Sequence, residues 1–352
     1  MNTPSRIEST NTPRHKVIFD TDPGVDDAMA LYYALAHPAI DIVGITTTFG
    51  NVTVKQAAIN ALYLTAIAGQ GAIPVTQGVA TPWVKPSEAP PDFIHGGDGL
   101  GNLASRLTTT NTLDSRSSAQ FIVDMARAHP GEITLVPVGP LGNVALALKI
   151  EPNLPSLLKS VVLMGGTIIE PGNVSPVAEA NIWNDPHAAD AVFAAPWQRL
   201  VMVGLDVTHR VIVPVTLFES IAKKHQHPAT DVLLQAVRFY AEFYSGIYPH
   251  VAKIHGCFGH DVLAFIYLTN PELFTLESGD IRVATEGIAN GQTMMNRKAF
   301  LHYPQAGWGN GRPAVEVCMG VDAAACNTVF EQTMMGDWLP AASASASAKG
   351  AA

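Results

Sequence analysis

The run Asp20-Thr21-Asp22-Pro23-Gly24-Val25-Asp26-Asp27 places four carboxylates within eight residues. Anions packed this closely repel one another, and each resists ionising beside its neighbours unless a cation holds them. Oxygen ligands with neither Cys nor His close by in the chain suit Ca²⁺ or Mg²⁺, whereas zinc sites recruit thiolate or imidazole. Pro23-Gly24 turns the chain between the two acidic pairs, so Asp22 and Asp27 can converge from the two sides of the loop while Asp26 and Asp27 open a helix. Helix capping accounts for one aspartate and leaves three.

Three further segments could carry chemistry. Met164-Gly165-Gly166 is followed by Asn173, Glu179 and Asn181 on a Gly/Pro loop. Amides and a carboxylate there suit a hydroxyl-rich ligand, although turn-forming Asn and a solvated Glu are the plainer explanation of that loop alone. Gly259-His260-Asp261 precedes the apolar stretch Val262-Leu263-Ala264-Phe265. Asp261 could complete an oxygen-only metal shell and His260 could handle protons near neutral pH, while a simple cap is the competing reading. The third segment, His95 to Asn102, is Gly-rich but has no preceding strand, no Walker lysine and no G-x-G-x-x-G, so it reads as a mobile substrate loop and not a phosphate cradle. Tyr240, Tyr244 and Tyr248 recur at helical spacing and could meet a flat ligand or pack in the core; Trp83 and Trp183 could also stack on such a ligand, although a structural role is the plainer reading.

These residues need a frame that brings them together. Apolar runs alternate with helical-period stretches: Val17–Asp20 then 25–36, Ile42–Thr48 then 53–69, Ile73–Thr76, a helix near 116–128, Ile133–Val138, a helix near 141–149, Val161–Met164, a helix near 186–194 and Leu200–Gly204. That alternation predicts an α/β fold, a Rossmann-like, mostly parallel sheet with helices on both faces. Its strands end at Asp20 and Asp22, at Thr48-Phe49-Gly50-Asn51, at Val138, at Met164 and near Asp206, which would line one carboxyl edge. Residues from about 214 to 270 read as a small helical cap over that edge. The organisation expected is a disordered leader at 1–14, a single catalytic domain at 15–338 and a low-complexity tail at 339–352.

Composition narrows the partners. Charged residues are only 14% of the 352, against a usual ~25%, so part of the surface is expected to be buried between subunits of a homodimer or homotetramer. The net charge of −9 and the lack of a basic run argue against nucleic acid or anionic membrane. Cys257, Cys318 and Cys326 form no C-x-x-C pair, and the amino terminus has no apolar signal core, which together predict a cytoplasmic protein.

Taken in order, these segments resemble the calcium-dependent nucleoside hydrolases, the inosine-uridine preferring ribohydrolases, over roughly residues 16–335. The most specific element is Asp-Thr-Asp-Pro-Gly-Val-Asp-Asp-Ala at 20–28, joined by Gly50-Asn51, by Met164-Gly165-Gly166 with Asn173, Glu179 and Asn181, and by His260-Asp261. The resemblance implies that Asp22, Asp27, Asp261 and the main-chain carbonyl of Val138 hold Ca²⁺, and that Asp22 is the general base for a bound water. It implies that Asp26 and Asn181 hold the ribose 2′-hydroxyl, that Asn51 lies beneath the sugar, and that Asn173 and Glu179 bind the 5′-hydroxyl. Met164 would line the ribose pocket, His260 would act as leaving-group acid, His95 could approach the base, and Tyr244 and Tyr248 would face it. Val138 replaces a Thr common among relatives, which a main-chain ligand tolerates, and Ala180 stands where some carry an aromatic.

The expected reaction is hydrolysis of the N-glycosidic bond of a ribonucleoside to free base and ribose, as in nucleoside salvage. Positive charge developing on the sugar ring would be stabilised by the carboxylate-rich cup. Two alternatives are weighed: a non-catalytic ribonucleoside-binding protein on the same fold, and a haloacid-dehalogenase-type phosphatase, which also opens on Asp-x-Asp after a strand but wants a downstream Lys and a later acidic pair.

Overall fold

The computed structural model describes residues 14–298, 300, 301, 303, 308 and 311–340. The expected leader and tail therefore fall outside the described residues except for Arg14, Leu339 and Pro340, and Leu339 packs on the core.

Twelve strands occur among the described residues: β1 (His15–Thr21), β2 (Ile40–Thr47), β3 (Val75–Gln77), β4 (Ile133–Pro137), β5 (Ser160–Met164), β6 (Leu200–Val203), β7 (Ile212–Pro214), β8 (Gly256–Phe258), β9 (Phe274–Gly279), β10 (Ile281–Val283), β11 (Thr293–Met295) and β12 (Val315–Val321). Eight of them form the central sheet in the order β3-β2-β1-β4-β5-β6-β12-β9. All its pairs are parallel except β12 with β9. Separate apolar clusters pack on its two faces, so strands buried on both sides read as the continuous apolar runs seen in the sequence.

From β1 the chain winds outward through β2 and β3, then returns to place β4 on the other side of β1. The order thus reverses between β1 and β4, and the crevice above their carboxyl ends is where such sheets bind ligands. Asp20 and Asp22 leave β1 there and Val138 leaves β4; the Val138 N–H donates to the Asp20 carbonyl at 2.8 Å.

The helix Val25–Ala36 begins on the aspartate run itself. Asp27 accepts the Gly24 N–H at 2.9 Å, and both Asp26 and Asp27 lie in the first turn, where the helix dipole favours anions. Its residues from Val25 to Ala34 are buried all round, beneath the helices Val262–Thr269 and Pro228–Ile247.

Within 214–270 the chain forms the helices Val215–His225, Pro228–Ile247 and Pro249–Ile254, then strand β8 and the helix Val262–Thr269. β8 pairs antiparallel with β7 and delivers Gly259-His260-Asp261 to the crevice. The helix Val262–Thr269 is part of the core, with Leu263, Ala264 and Phe265 fully buried. No helix among the described residues is long and apolar enough to cross a membrane.

Candidate active site

The carboxylates separate into two levels. Asp20 points into the sheet, where its Oδ1 accepts from Thr46 Oγ1 at 2.6 Å and Asn143 Nδ2 at 2.8 Å. Burial pushes its carboxyl up to about 7 against those two hydrogen bonds. Asn143 also bonds the Thr47 carbonyl and the Val79 N–H, so this buried network ties β1, β2 and the chain after β3 together beneath the site.

Above it, Asp22 Oδ2 accepts the Asn51 N–H at 2.6 Å, and Asp27 accepts from Thr21 Oγ1, the Asp22 N–H, the Gly24 N–H and Asn51 Nδ2. Asn51 therefore sets the orientation of two carboxylates at once. Asp26 Oδ2 accepts from Tyr240 Oη at 3.0 Å. Carboxylate oxygens of Asp26, Asp27 and Asp261 lie within 4.8 Å of one another. Asp22 stands outside that close trio, and its Oδ1, like Asp26 Oδ1, is buried with no hydrogen-bond partner among the described residues.

Burial raises all four carboxyls. For Asp22 and Asp27 the charge of a neighbouring aspartate adds to burial; for Asp26, pushed up to about 6, hydrogen bonds oppose it. Asp261 is raised well above the usual range, by burial first and then by Asp26, Asp27 and Asp22. Unpartnered, mutually repelling oxygens with no thiolate among them fit a hard divalent cation. The Val138 carbonyl accepts Asn181 Nδ2 at 2.7 Å, so it already faces this group of residues.

Two glycines give Asp22 its room. A Cβ on Gly50, whose φ is +154°, would collide with Asp22 Oδ2, and one on Gly139 would lie 2.5 Å from Oδ1. Gly50→Ala is expected to displace the Asp22 carboxylate and lower kcat about 10²-fold without unfolding the chain, as a ~1 Å misplacement does. Parent kinetics for this variant would show that the position of Asp22 does not matter.

A cavity of about 900 Å³ opens over these groups. Asp26, Asn51, His95, Val138, Met164, Asn173, Glu179, Asn181, Tyr244, Tyr248, His260 and Asp261 all line it, while Asp22 and Asp27 lie buried beneath. Asn181 spends its Nδ2 on the Val138 and Met164 carbonyls, which leaves its Oδ1 as the acceptor for a ligand. Glu179 caps the short helix Ala180–Asn184 and accepts the N–H groups of Gly166, Asn181 and Ile182. Its carboxyl is raised by burial despite those bonds.

One chain of hydrogen bonds runs from Asp26 through two tyrosines to His260 and Thr208. Tyr240 Oη joins Asp26 to Tyr244 Oη at 3.2 Å; Tyr244 Oη meets His260 Nε2 at 3.0 Å, and His260 Nδ1 meets Thr208 Oγ1 at 2.8 Å. The sequence signal was the i, i+4 spacing of the tyrosines, which gave a shared face but not its partner. Burial and then the nearby His209 and His95 hold His260 well below its usual range, so it is neutral at pH 7.

His95 is buried rather than carried on a loose flap. Its Nδ1 accepts the Val25 N–H at 3.3 Å and lies 3.8 Å from Asp26 Oδ1, and burial pushes it down to about 4. Its loop is pinned, because Asp98 accepts the N–H groups of Leu100, Asn102 and Leu103, and Asn60 bonds both the Pro23 and Asp98 carbonyls. Asp206 does not reach the cavity; it accepts the N–H groups of Ile168, Ile169 and Glu170 and so shapes the loop after β5. Trp183 lines the cavity, whereas Trp83 lies under Lys149.

The chain is similar to known proteins over most of its length. A family model described as inosine-uridine preferring nucleoside hydrolase matches residues 17–328. The chain is 39% identical over 310 residues to a probable uridine nucleosidase of Oryza sativa subsp. japonica, covering 88% of this chain and 93% of that one. It is 34% identical over 324 residues to an inosine-uridine preferring nucleoside hydrolase of Leishmania major, covering 92% and 98%. Among solved structures it superposes on a plant nucleoside hydrolase with a TM-score of 0.86 at 33% identity, over 92% of this chain and 100% of the other. A purine-preferring ribonucleoside hydrolase from Gardnerella vaginalis gives 0.83 at 31% identity, over 91% and 98%.

Proposed function

The chain belongs to the inosine-uridine preferring nucleoside hydrolase family, and on that premise we propose how its residues divide the work of the reaction. It hydrolyses the N-glycosidic bond of ribonucleosides, releasing the base and ribose. The observation that carries the assignment of roles is the buried cup of Asp22, Asp26, Asp27 and Asp261, two of whose oxygens have no hydrogen-bond partner among the described residues.

Asp27 and Asp261, with the free Oδ1 of Asp22 and the Val138 carbonyl, would hold the cation, and calcium suits this all-oxygen set. When bound, that ion supplies a Lewis acid that makes a water more acidic and offsets the repulsion within the cup. Asp22 removes the proton of the attacking water, with Asn51 fixing its carboxylate. Asp26 and the Oδ1 of Asn181 accept from sugar hydroxyls, and Met164 packs against the ring. The remaining negative charge faces the ribose where positive charge develops as the bond to the base lengthens. Attack from the face opposite the base gives inversion.

Departure of the base requires a proton. Tyr244 and His260 supply it, with Tyr240 linking their chain to Asp26. Because His260 is neutral, it orients the Tyr244 hydroxyl through Nε2 while Thr208 holds its Nδ1, and the proton gained by the base is balanced by the one the attacking water gives to Asp22. His260→Ala is expected to lower kcat by about 10²-fold and to do so unequally for inosine and uridine, whose leaving groups differ in basicity. Ribose release measured on both substrates checks it; equal losses on the two would remove His260 from the leaving-group step. Buried negative charge at Glu179 and Asp26 disfavours a 5′-phosphate, so nucleosides are preferred to nucleotides.

A further inference from the structure

The cavity runs beyond the ribose. Tyr244, Tyr248 and His260 mark its base end, and Asn51 and Asp261 its floor. Past Asn173 and Glu179 it continues between the helix Ala180–Asn184 and the loop 87–91, lined by Ser87, Pro90, Trp183 and Asn184. Its volume of about 900 Å³ is near the top of the roughly 300–1,000 Å³ range of small-molecule clefts, which hold ligands larger than a nucleoside.

The extension has a fixed wall and a chemical bias. Lys85 Nζ lies 4.3 Å from the centre of the Trp183 ring and bonds both the Trp183 carbonyl and Glu88, and Trp183 Nε1 reaches Glu88 at 3.4 Å, so the indole is clamped. Glu179 already accepts three backbone N–H groups and so does not depend on a 5′-hydroxyl donor to satisfy its oxygens. Asn173 commits its Oδ1 to the Ala180 N–H at 3.0 Å, while its Nδ2 has no protein partner among the described residues and is left to donate. Ala180, which also lines the cavity, contributes only a methyl group. The Glu179 and Glu88 carboxylates disfavour an anion, the indole favours apolar bulk, and Asn173 Nδ2 can donate to a weak acceptor, which together select an uncharged 5′ group such as an alkyl thioether.

We propose that this extension is a subsite for a 5′ substituent, so that the enzyme also cleaves ribonucleosides whose 5′-hydroxyl is replaced by a neutral alkyl thioether. The inference rests on the hydrolase reading and on Asn173 and Glu179 marking the 5′ side. The chemistry is unchanged: the C1′–N bond breaks, the water oxygen bonds to C1′, its proton balance is completed on the departing base, and a 5-alkylthio-ribose is left.

The test compares inosine and uridine with their 5′-deoxy and 5′-deoxy-5′-methylthio derivatives, reading sugar reducing ends and free base. The methylthio compounds are expected to show kcat/KM about tenfold above the 5′-deoxy compounds, the gain typical of filling an apolar pocket. Trp183→Ala should erase that advantage, as should Ser87→Trp, which fills the subsite from an exposed loop and spares the core. Methylthio compounds cleaved no faster than the 5′-deoxy ones, or an advantage that survives both substitutions, would overturn the subsite. Turnover of the unmodified nucleosides reports on the hydrolase reading alone; if they are not cleaved, that reading fails and the subsite is judged by binding, where the methylthio compounds must bind more tightly than the 5′-deoxy ones.

Discussion

Asp22→Asn is expected to lower kcat about 10³-fold or more, at the upper part of the range for removing a general base. Asparagine keeps the side chain's size and can still present an oxygen to the Asn51 N–H, so the loop of Gly50 and Asn51 has no reason to move. What disappears is a base and one of the unpartnered buried oxygens. The same change removes a negative charge beside Asp26 and Asp27, which raise the Asp22 carboxyl. The metal-free variant is therefore expected to melt at a higher temperature than the metal-free parent. Rates near those of the parent enzyme would take Asp22 out of the proton-transfer step, and a lower melting temperature would show that the cup is not repulsive.

Stripping divalent cations should destabilise the protein, and more so at higher pH. The carboxyls of Asp26, raised to about 6, and of Asp22, Asp27 and Asp261 stand above the ~3.9 of an unfolded aspartate. Stability from such groups is fully present below about pH 4 and is lost as pH rises through their folded values. The buried histidines have the opposite sign. His95, pushed down to about 4, contributes stability that is complete above about pH 6.5 and falls as pH drops toward 4. No histidine binds the ion, and the carboxylates that do must give up their protons to bind it, so the stabilisation by calcium grows with pH. At a free calcium concentration a hundredfold above Kd it amounts to about 2.7 kcal/mol. Thermal unfolding with calcium and with EDTA at pH 5 and pH 8 checks this; an increment that is equal at both pH values would move the cation away from these carboxylates.

Much of this site could be read in the sequence because its parts lie at strand ends. Apolar runs at β1, β2, β4, β5 and β6 ended within about two residues of the observed strands, since strands buried on both faces leave an uninterrupted pattern. β9 gave no such signal, because several of its residues face solvent at the sheet edge. Dense charge in the Asp20–Asp27 run announced a cation site, but not that Asp20 would face the sheet and Asp26 the tyrosines. That division depends on contacts such as Tyr240 to Asp26, 214 residues apart, which no local pattern encodes. The loop at 95–102 read as mobile from its glycines, yet Asp98 and Asn60 hold it through bonds to main-chain groups that composition does not reveal. The phosphatase alternative ends with the family assignment, and the sugar-side residues Asn173, Glu179 and Asn181 line the same cavity as Asp26 and Asp261.

The most direct measurement is release of ribose reducing ends from inosine, uridine, adenosine, cytidine and 5′-inosinate, after EDTA treatment and again after calcium is restored. The account predicts calcium-dependent ribose release from nucleosides and little or none from 5′-inosinate. Ribose release that is indifferent to EDTA, or 5′-inosinate cleaved as fast as inosine, would contradict the carboxylate-held cation and the acidic 5′ side on which the mechanism stands.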